Sequence, residues 1–474
     1  MAPKAQQRIF ALDPTSPDPL YRQIYRRFRT AIADGVLKPG DRIPSVRALM
    51  QELGLARGTI DAAYSMLAAE GYLETKGPAG TFIAQGLRAK ALALAERPIA
   101  APATAQPTFR PETTLPLQMG LPALDAFPRK VWARLGAARI RAQRPEDMAH
   151  PPLGGLPELR AQIASYLQIA RGIRCSPSQV LITSGYSATL RLIGQALLQA
   201  GDQVWIESPC YPPTLDGLRA LGLDAMPVPV DGDGLDVDEG LRLAPQARAA
   251  IVTPAHQSPL GVALSLPRRQ ALLAWAKRNG SWIVEDDYDG EYRYVRRPLP
   301  ALKSLDREER VLYAGTFSKV LFPSLRLAYL VVPPSQLKRF ERACETTGGG
   351  CSHLMQAFVA DFMAKGHFGR HIQRMRKLYA QRRSATLEAF REILGARAAI
   401  DEQPGGMHLI LRLTSRQSDR TVVARMRAEG LYAEALSYWT GGQRLSPAIL
   451  VGFTNIESRD EAVDLARRIL RLMR

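Results

Sequence analysis

Four short runs of apolar and β-branched residues, QVLITS (179–184), DQVWIES (202–208), AAIVTP (249–254) and SWIVEDD (281–287), are separated by stretches with helical periodicity. Runs of this length, bounded by turn residues and spaced by helices, predict a largely parallel sheet buried on both faces. Open sheets of this kind gather their ligand sites at the carboxyl ends of the strands, so polar residues there become candidates. At 474 residues the chain exceeds one ordinary domain. Composition breaks once, at GLRAKALALAERPIAAPATAQPTFRPETT, where Pro, Ala and Thr replace apolar periodicity. The expected organisation is therefore a first domain over 1–85, a linker over 86–114 and a second domain over 115–474.

Several classes are excluded early. No stretch approaches a membrane-spanning apolar run, and MAPKAQQRIFALDPTSPDP lacks a secretion signal, so a cytoplasmic location and no membrane partner are expected. The four cysteines form no CxxC pair and the six histidines no HExxH pair, which argues for reduced thiols and no metal. The formal charge is +18, but residues 1–85 hold 11 basic against 8 acidic residues, so +15 belongs to the remainder. Charge alone does not locate a nucleic-acid surface.

The first domain carries a helical stripe, Leu20, Ile24, Phe28 and Ala31, stopped by Gly35. Ser45 is placed to cap a short helix over Val46–Leu53, Gly54 turns the chain, and Arg57–Glu70 makes a second helix with Ile60, Tyr64 and Leu67 on one face. GYLET and GTFIA then bracket KGPA as a hairpin. In this helix-turn-helix reading Arg57, Gly58 and Thr59 reach base edges or phosphates, Ser45 and Arg47 touch the DNA backbone, and Lys76 stands at the basic hairpin tip. A small helical domain with solvated arginines is the plain alternative. The motifs Gly35-Val-Leu-Lys-Pro-Gly40-Asp, Pro44-Ser-Val-Arg47, Leu53-Gly-Leu-Ala-Arg57 and Gly80-Thr81-Phe82 closely resemble the winged helix of GntR-type bacterial regulators. The resemblance implies a double-stranded DNA operator as partner. Ala56 departs from it, standing where the family often has a serine able to cap the recognition helix.

In the second domain Gly185-Tyr186-Ser187 lies between a strand and a helix, a turn type that offers free N–H groups to an anion but most often only turns. SWIVEDDYDGEYRY ends a strand in carboxylates, and GTFSKVLFPSLRLAYL presents Lys319 and Arg326. Lys319 is one of only 11 lysines among 63 basic residues. Pyridoxal phosphate chemistry needs these types: an amine for a Schiff base, a carboxylate for the pyridine nitrogen, and an anion cup with arginine for the phosphate. Asp286 fits the nitrogen, Tyr288 the phenolic oxygen with Ser258 on the same side, and Tyr211 the ring face. Singly each has a dull explanation, such as a turn cap or a surface charge pair.

Order and spacing are similar to fold-type-I aminotransferases, and TPAHQSPLG, EDDYDGEYRY and GTFSKVLFPSLRLAYL look most like the aminotransferase-like domain of MocR-type regulators. The implied fold class is α/β: a winged helix-turn-helix followed by a mostly parallel sheet with flanking helices and a smaller C-terminal subdomain. The resemblance further implies that Lys319 carries the cofactor as an internal aldimine. It also implies that Tyr186, Ser187, Thr316, Ser318 and Arg326 serve the phosphate and that the chain forms a head-to-tail homodimer. Leu450 in PAILVGFTN stands where amino-acid aminotransferases have a carboxylate-binding arginine, with Arg444 the nearest arginine upstream.

The expected function is a ligand-responsive transcription factor whose effector is an amine, an amino acid or the cofactor itself, with sensing rather than turnover as the role of its second domain. The rivals are a working aminotransferase with a DNA-binding appendage and a DNA-binding scaffold with a degenerate site. GHFGRHIQRMRKLYAQRR reads as a basic helix, either a solvated surface or, through Arg374, Arg376, Lys377, Arg382 and Arg383, a guide for DNA.

Overall fold

The computed structural model describes residues 12, 13, 16, 18–86, 114–294, 300–347, 350–414, 417–440 and 445–473. The chain divides into two compact units between residues 110 and 111. Most of the expected linker lies outside the described residues, as does Arg444.

The first unit contains α1 (Leu20–Ala33), α2 (Val46–Leu53), α3 (Arg57–Ala69), β1 (Leu73–Thr75) and β2 (Thr81–Ile83). Ile24, Phe28, Leu49, Ile60, Leu67 and Ile83 close its core. Gly35 and Gly54 adopt φ of 71° and 65°, the left-handed geometry that a glycine takes without a Cβ clash, and each ends a helix. The Ser45 hydroxyl accepts the Ala48 N–H at 3.2 Å, whereas Ala56 leaves α3 with no side-chain cap. Tyr64 compensates by anchoring α3 from its middle, donating its hydroxyl to Pro44 O at 2.8 Å and meeting Phe28 edge-on. β1 and β2 pair antiparallel with Glu74 opposite Phe82.

The second unit runs α4 (Arg129–Arg141), α5 (Pro157–Arg171), β3 (Val180–Thr183), α6 (Tyr186–Leu197), β4 (Gln203–Ser208), α7 (Pro212–Ala220), β5 (Asp224–Asp231), β6 (Gly234–Leu235), α8 (Val237–Leu243), β7 (Ala249–Val252), α9 (Leu266–Asn279), β8 (Trp282–Asp287), β9 (Val311–Thr316) and β10 (Ala328–Val331). It continues through α10 (Leu337–Thr347), α11 (His353–Ala364), α12 (His367–Leu394), β11 (Ala398–Ile400), β12 (His408–Leu413), α13 (Asp419–Ala428), β13 (Glu434–Ala435), β14 (Ala448–Gly452) and α14 (Arg459–Leu472). The large sheet has the order β3-β10-β9-β8-β7-β4-β5-β6. β9, β8, β7, β4 and β5 are parallel, as the apolar runs require; β10 is antiparallel to both its neighbours. Residues 317–327 join β9 to β10 without a full crossover helix, so β10 returns as a hairpin. That hairpin carries Lys319 and Arg326.

Tryptophans 205 and 275 stack at 4.1 Å between the sheet and α9. A second, antiparallel sheet, β11-β12-β14-β13, buries Leu411, Ile449 and Val451 against α12 and α14. The segment before α4 lies along this small sheet: Gly452 N–H donates to Leu117 O at 2.8 Å and Tyr432 N–H to Pro116 O at 2.9 Å.

One buried ion pair fixes the turn after β8. Arg171, its side chain only 2% exposed, reaches Asp287 at 2.9 Å and Gly290 O at 2.9 Å, and Tyr313 donates to the same carboxylate at 2.6 Å. Replacing Arg171 with Met leaves Asp287 and Glu291 buried without their cation. Urea unfolding of Arg171→Met is expected to show a loss of about 3–5 kcal/mol.

Candidate cofactor site and nucleic-acid interface

β8 and β9 are adjacent and parallel, with Asp286 paired in register with Ala314, so their carboxyl ends open on one side. Lys319 follows β9, and its ammonium donates to Gly120 O at 2.8 Å. A Cβ at Gly120 would fall 2.2 Å from Nζ, so a side chain there would push the end of the lysine aside. The backbone around Lys319 is held from two sides. His371 on α12 donates Nε2–H to Val320 O at 2.9 Å, and Tyr292 donates to Lys319 O at 3.4 Å. Burial pushes His371 down to about 4, which keeps it neutral with the proton on Nε2.

Asp286 has no hydrogen-bond partner among the described residues. Burial, followed by the negative charges of Asp287, Glu207 and Asp289, pushes its carboxyl up to about 8, with Lys319 pulling the other way.

The Tyr288 hydroxyl and His256 Nδ1 share a hydrogen bond at 2.9 Å, with Asp289 Oδ2 3.2 Å from the same nitrogen. The Ser258 hydroxyl also bonds to Tyr288. At the other end of the site, the Arg326 guanidinium packs on Gly185, where a Cβ would lie 3.1 Å from it. Arg326 itself takes φ of 51°, a left-handed geometry uncommon outside glycine. The Tyr186 and Ser187 N–H groups at the start of α6 donate to no acceptor among the described residues, while Ala188 and Thr189 N–H both bond to Gly185 O. Two free N–H groups, a helix dipole and a guanidinium therefore converge as an anion cup. Thr316 ends β9 and Ser318 follows it, the Thr316 hydroxyl accepting the Ser318 N–H at 3.1 Å.

Tyr211 caps α7 and lies 6.2 Å from the Tyr186 ring and 5.7 Å from Trp439. The Tyr186 hydroxyl is engaged with Thr214 at 2.9 Å. Leu450 on β14 is fully buried against Ile410, Leu436 and Trp439, with Met119, Tyr211 and Leu260 packed on the same cluster. Sequence reasoning overlooked His256 and Asp289, although TPAHQSPLG and EDDYDGEYRY contained them; their meeting depends on the adjacency of β7 and β8. It also overlooked Glu434, which no motif marks.

In the first unit Arg47, Arg57, Gly58 and Lys76 are exposed and Thr59 is half-buried, all presented by α2, the start of α3 or the hairpin. Arg57 pairs with Asp61 at 3.2 Å, and Lys76 sits over the Phe82 ring. Ser45 is exposed, but its hydroxyl is committed to the α2 cap. Arg42, not singled out from sequence, lies beside Gly80 at the hairpin.

The two segments match separate family models: bacterial regulatory proteins of the gntR family over residues 20–83, and aminotransferase class I and II over residues 120–448. The chain is 36% identical to the probable rhizopine catabolism regulatory protein MocR of Rhizobium meliloti, over 95% of this chain and 93% of that one. The chain belongs to the MocR-type transcriptional regulators. It is also 34% identical to the pyridoxine biosynthesis regulator PdxR of Corynebacterium glutamicum, over 94% of each chain. Among solved structures, kynurenine aminotransferase of Pyrococcus horikoshii, determined with PMP, aligns with a TM-score of 0.69 at 27% identity, over 76% of this chain and 90% of that one. Pyridoxal phosphate is the cofactor of this domain family, and the donor set around Lys319 fits it. Among the described residues no helix is long and apolar enough to cross a membrane.

Asp286 gives a pH test. Its folded pKa near 8 lies above the usual carboxylate value near 4. The cofactor-free protein thus loses stability at this residue as pH rises from about 4 to about 8. Asp286→Asn is expected to melt higher than the parent at pH 8 without cofactor, the gap closing toward pH 4, while retaining added cofactor less well. Parallel melting curves at all pH values would contradict this.

Proposed function

We propose that this MocR-type chain is a ligand-responsive regulator: its winged helix holds a double-stranded operator, and its second unit holds pyridoxal phosphate through Lys319. The observation that carries this reading is the placement of Lys319, Asp286 and Tyr288 at the carboxyl ends of the adjacent strands β8 and β9, with Arg326 packed against the start of α6 as a candidate anion cup. Asp286 would pair with the protonated ring nitrogen, Tyr288 and Ser258 would bond the phenolic oxygen, and Tyr211 would cover the ring face. Tyr186, Ser187, Thr316, Ser318 and Arg326 would hold the phosphate, the first two through backbone N–H groups. Bound pyridoxal phosphate supplies an electrophilic carbon that an amine can occupy and a ring that withdraws electrons.

Lys319 is the moving part. An effector amine or amino acid taking its place, or loss of the cofactor itself, leaves the ammonium free to bond Gly120 O. Residues 116 and 117 are hydrogen-bonded to the small sheet, so this exchange couples the state of Lys319 to that subdomain. Moving two conformations from 1:99 to 99:1 requires a differential affinity of roughly 5.5 kcal/mol. The regulator acts in the cytoplasm as a head-to-tail homodimer on two half-sites. Its domains follow the 1–85, 86–114 and 115–474 division. The active-aminotransferase alternative lacks its carboxylate clamp at Leu450, which favours sensing over turnover.

Added pyridoxal phosphate is expected to give an absorbance band in the near-visible that is absent in Lys319→Ala; equal bands in both would sink the assignment. On a fragment of its own promoter, Arg47→Ala and Lys76→Ala should each weaken binding and lower the log–log salt slope by about one. An unchanged slope removes those residues from the interface.

A further inference from the structure

The wall that faces Tyr211 from the small sheet has the wrong polarity for a carboxylate. Leu450 is paired in register with Ile410 on β12 and with Glu434 on β13. Residues paired across a sheet project to the same face, so Glu434 stands beside the position where aminotransferases carry their arginine. Leu450 and Ile410 are fully buried, and Glu434 is 6% exposed. The Trp439 indole N–H donates to Glu434 Oε2 at 3.0 Å and packs 5.7 Å from Tyr211. Glu434 Oε1 has no hydrogen-bond partner among the described residues. The chain is locked across this wall: Cys210 N–H donates to Trp439 O and the Ser208 hydroxyl to Thr440 O, each at 2.9 Å.

From these contacts we infer that the effector is an amine without a carboxylate, carrying at its far end a hydrogen-bond donor, ammonium or hydroxyl, that Glu434 receives. A carboxylate entering here would meet Leu450 in place of a guanidinium and an acidic neighbour in Glu434. Such a group loses its water without gaining a partner, which is a large cost. A donor gains the free oxygen of a buried carboxyl. Burial pushes Glu434 up to about 7, while Arg427 and then Lys319 favour its charged form. The influence of Lys319 places Glu434 within electrostatic range of the amine that the effector would replace.

This inference rests on the cofactor reading above, and one titration separates the two. Full-length protein with added pyridoxal phosphate is titrated with diaminobutane, aminobutanol, butylamine and aminobutyrate, following both the near-visible band and the melting temperature. The diamine or the amino alcohol is expected to half-saturate at a concentration about tenfold below butylamine, since a hydrogen bond to a charged group contributes at least that factor. Aminobutyrate should be the weakest of the four. In Glu434→Gln the diamine should lose its advantage over butylamine while the band remains. A lead for the diamine marks the donor as ammonium, and a lead for the amino alcohol marks it as hydroxyl. Tightest binding by aminobutyrate, or equal binding by all four, overturns the inference alone and needs no variant. A protein that never develops the band overturns the cofactor reading and this inference with it.

Discussion

The pairing of Arg171 with Asp287 is the constraint on which the second unit's site depends. β8 ends in a run of acids that would repel one another and resist burial, yet Glu285, Asp287 and Glu291 each have a separate solution. Glu285 accepts the Leu302 and Lys303 N–H groups at 2.8 Å, Asp287 takes Arg171 and Tyr313, and Glu291 takes the Tyr166 hydroxyl at 2.8 Å. Gly290 is required because a Cβ there would fall 2.2 Å from Asp287 Oδ1. With Glu285, Asp287 and Glu291 each given hydrogen-bond partners, Asp286 is left with none of its own among the described residues. Strand alternation thus converts a cluster of like charges into one poised carboxyl.

Arginine has a structural use in this chain that the net charge conceals. On α12, Arg374 donates to Ala126 O, Arg376 to Glu291 O, Arg382 to Thr454 O and the Asp125 carboxylate, and Arg383 to Gln403 O. The arginines of this basic helix thus also tie it to its own unit. Four of its five named side chains are bonded to oxygens of their own unit, while Arg374 and Lys377 remain exposed. The planar guanidinium suits carbonyl oxygens at chain ends, where an ammonium would satisfy fewer acceptors in fixed directions.

Much of the architecture was legible because its signals are local. The stripe of α1, the cap of α2, the glycine stops and the short buried strands depend on residues within a few positions of each other. The residues proposed to hold the cofactor were singled out on signals of the same local kind: Asp286 and Tyr288 share one strand end, and Lys319 and Arg326 share one hairpin. The antiparallel return of β10 was not read, although the short stretch between β9 and β10 already forbids a parallel crossover.

By itself the sequence determined a GntR-type winged helix and a mostly parallel sheet, and it marked Lys319 as the candidate centre of a site, since periodicity, turn chemistry and motif order act along the chain. Only the tertiary structure decided that His256 and Asp289 meet Tyr288, that the α12 arginines bind backbone oxygens, and that Glu434 stands beside Leu450. Those facts arise from strand order and register between distant segments, where a one-residue slip would turn each side chain to the opposite face.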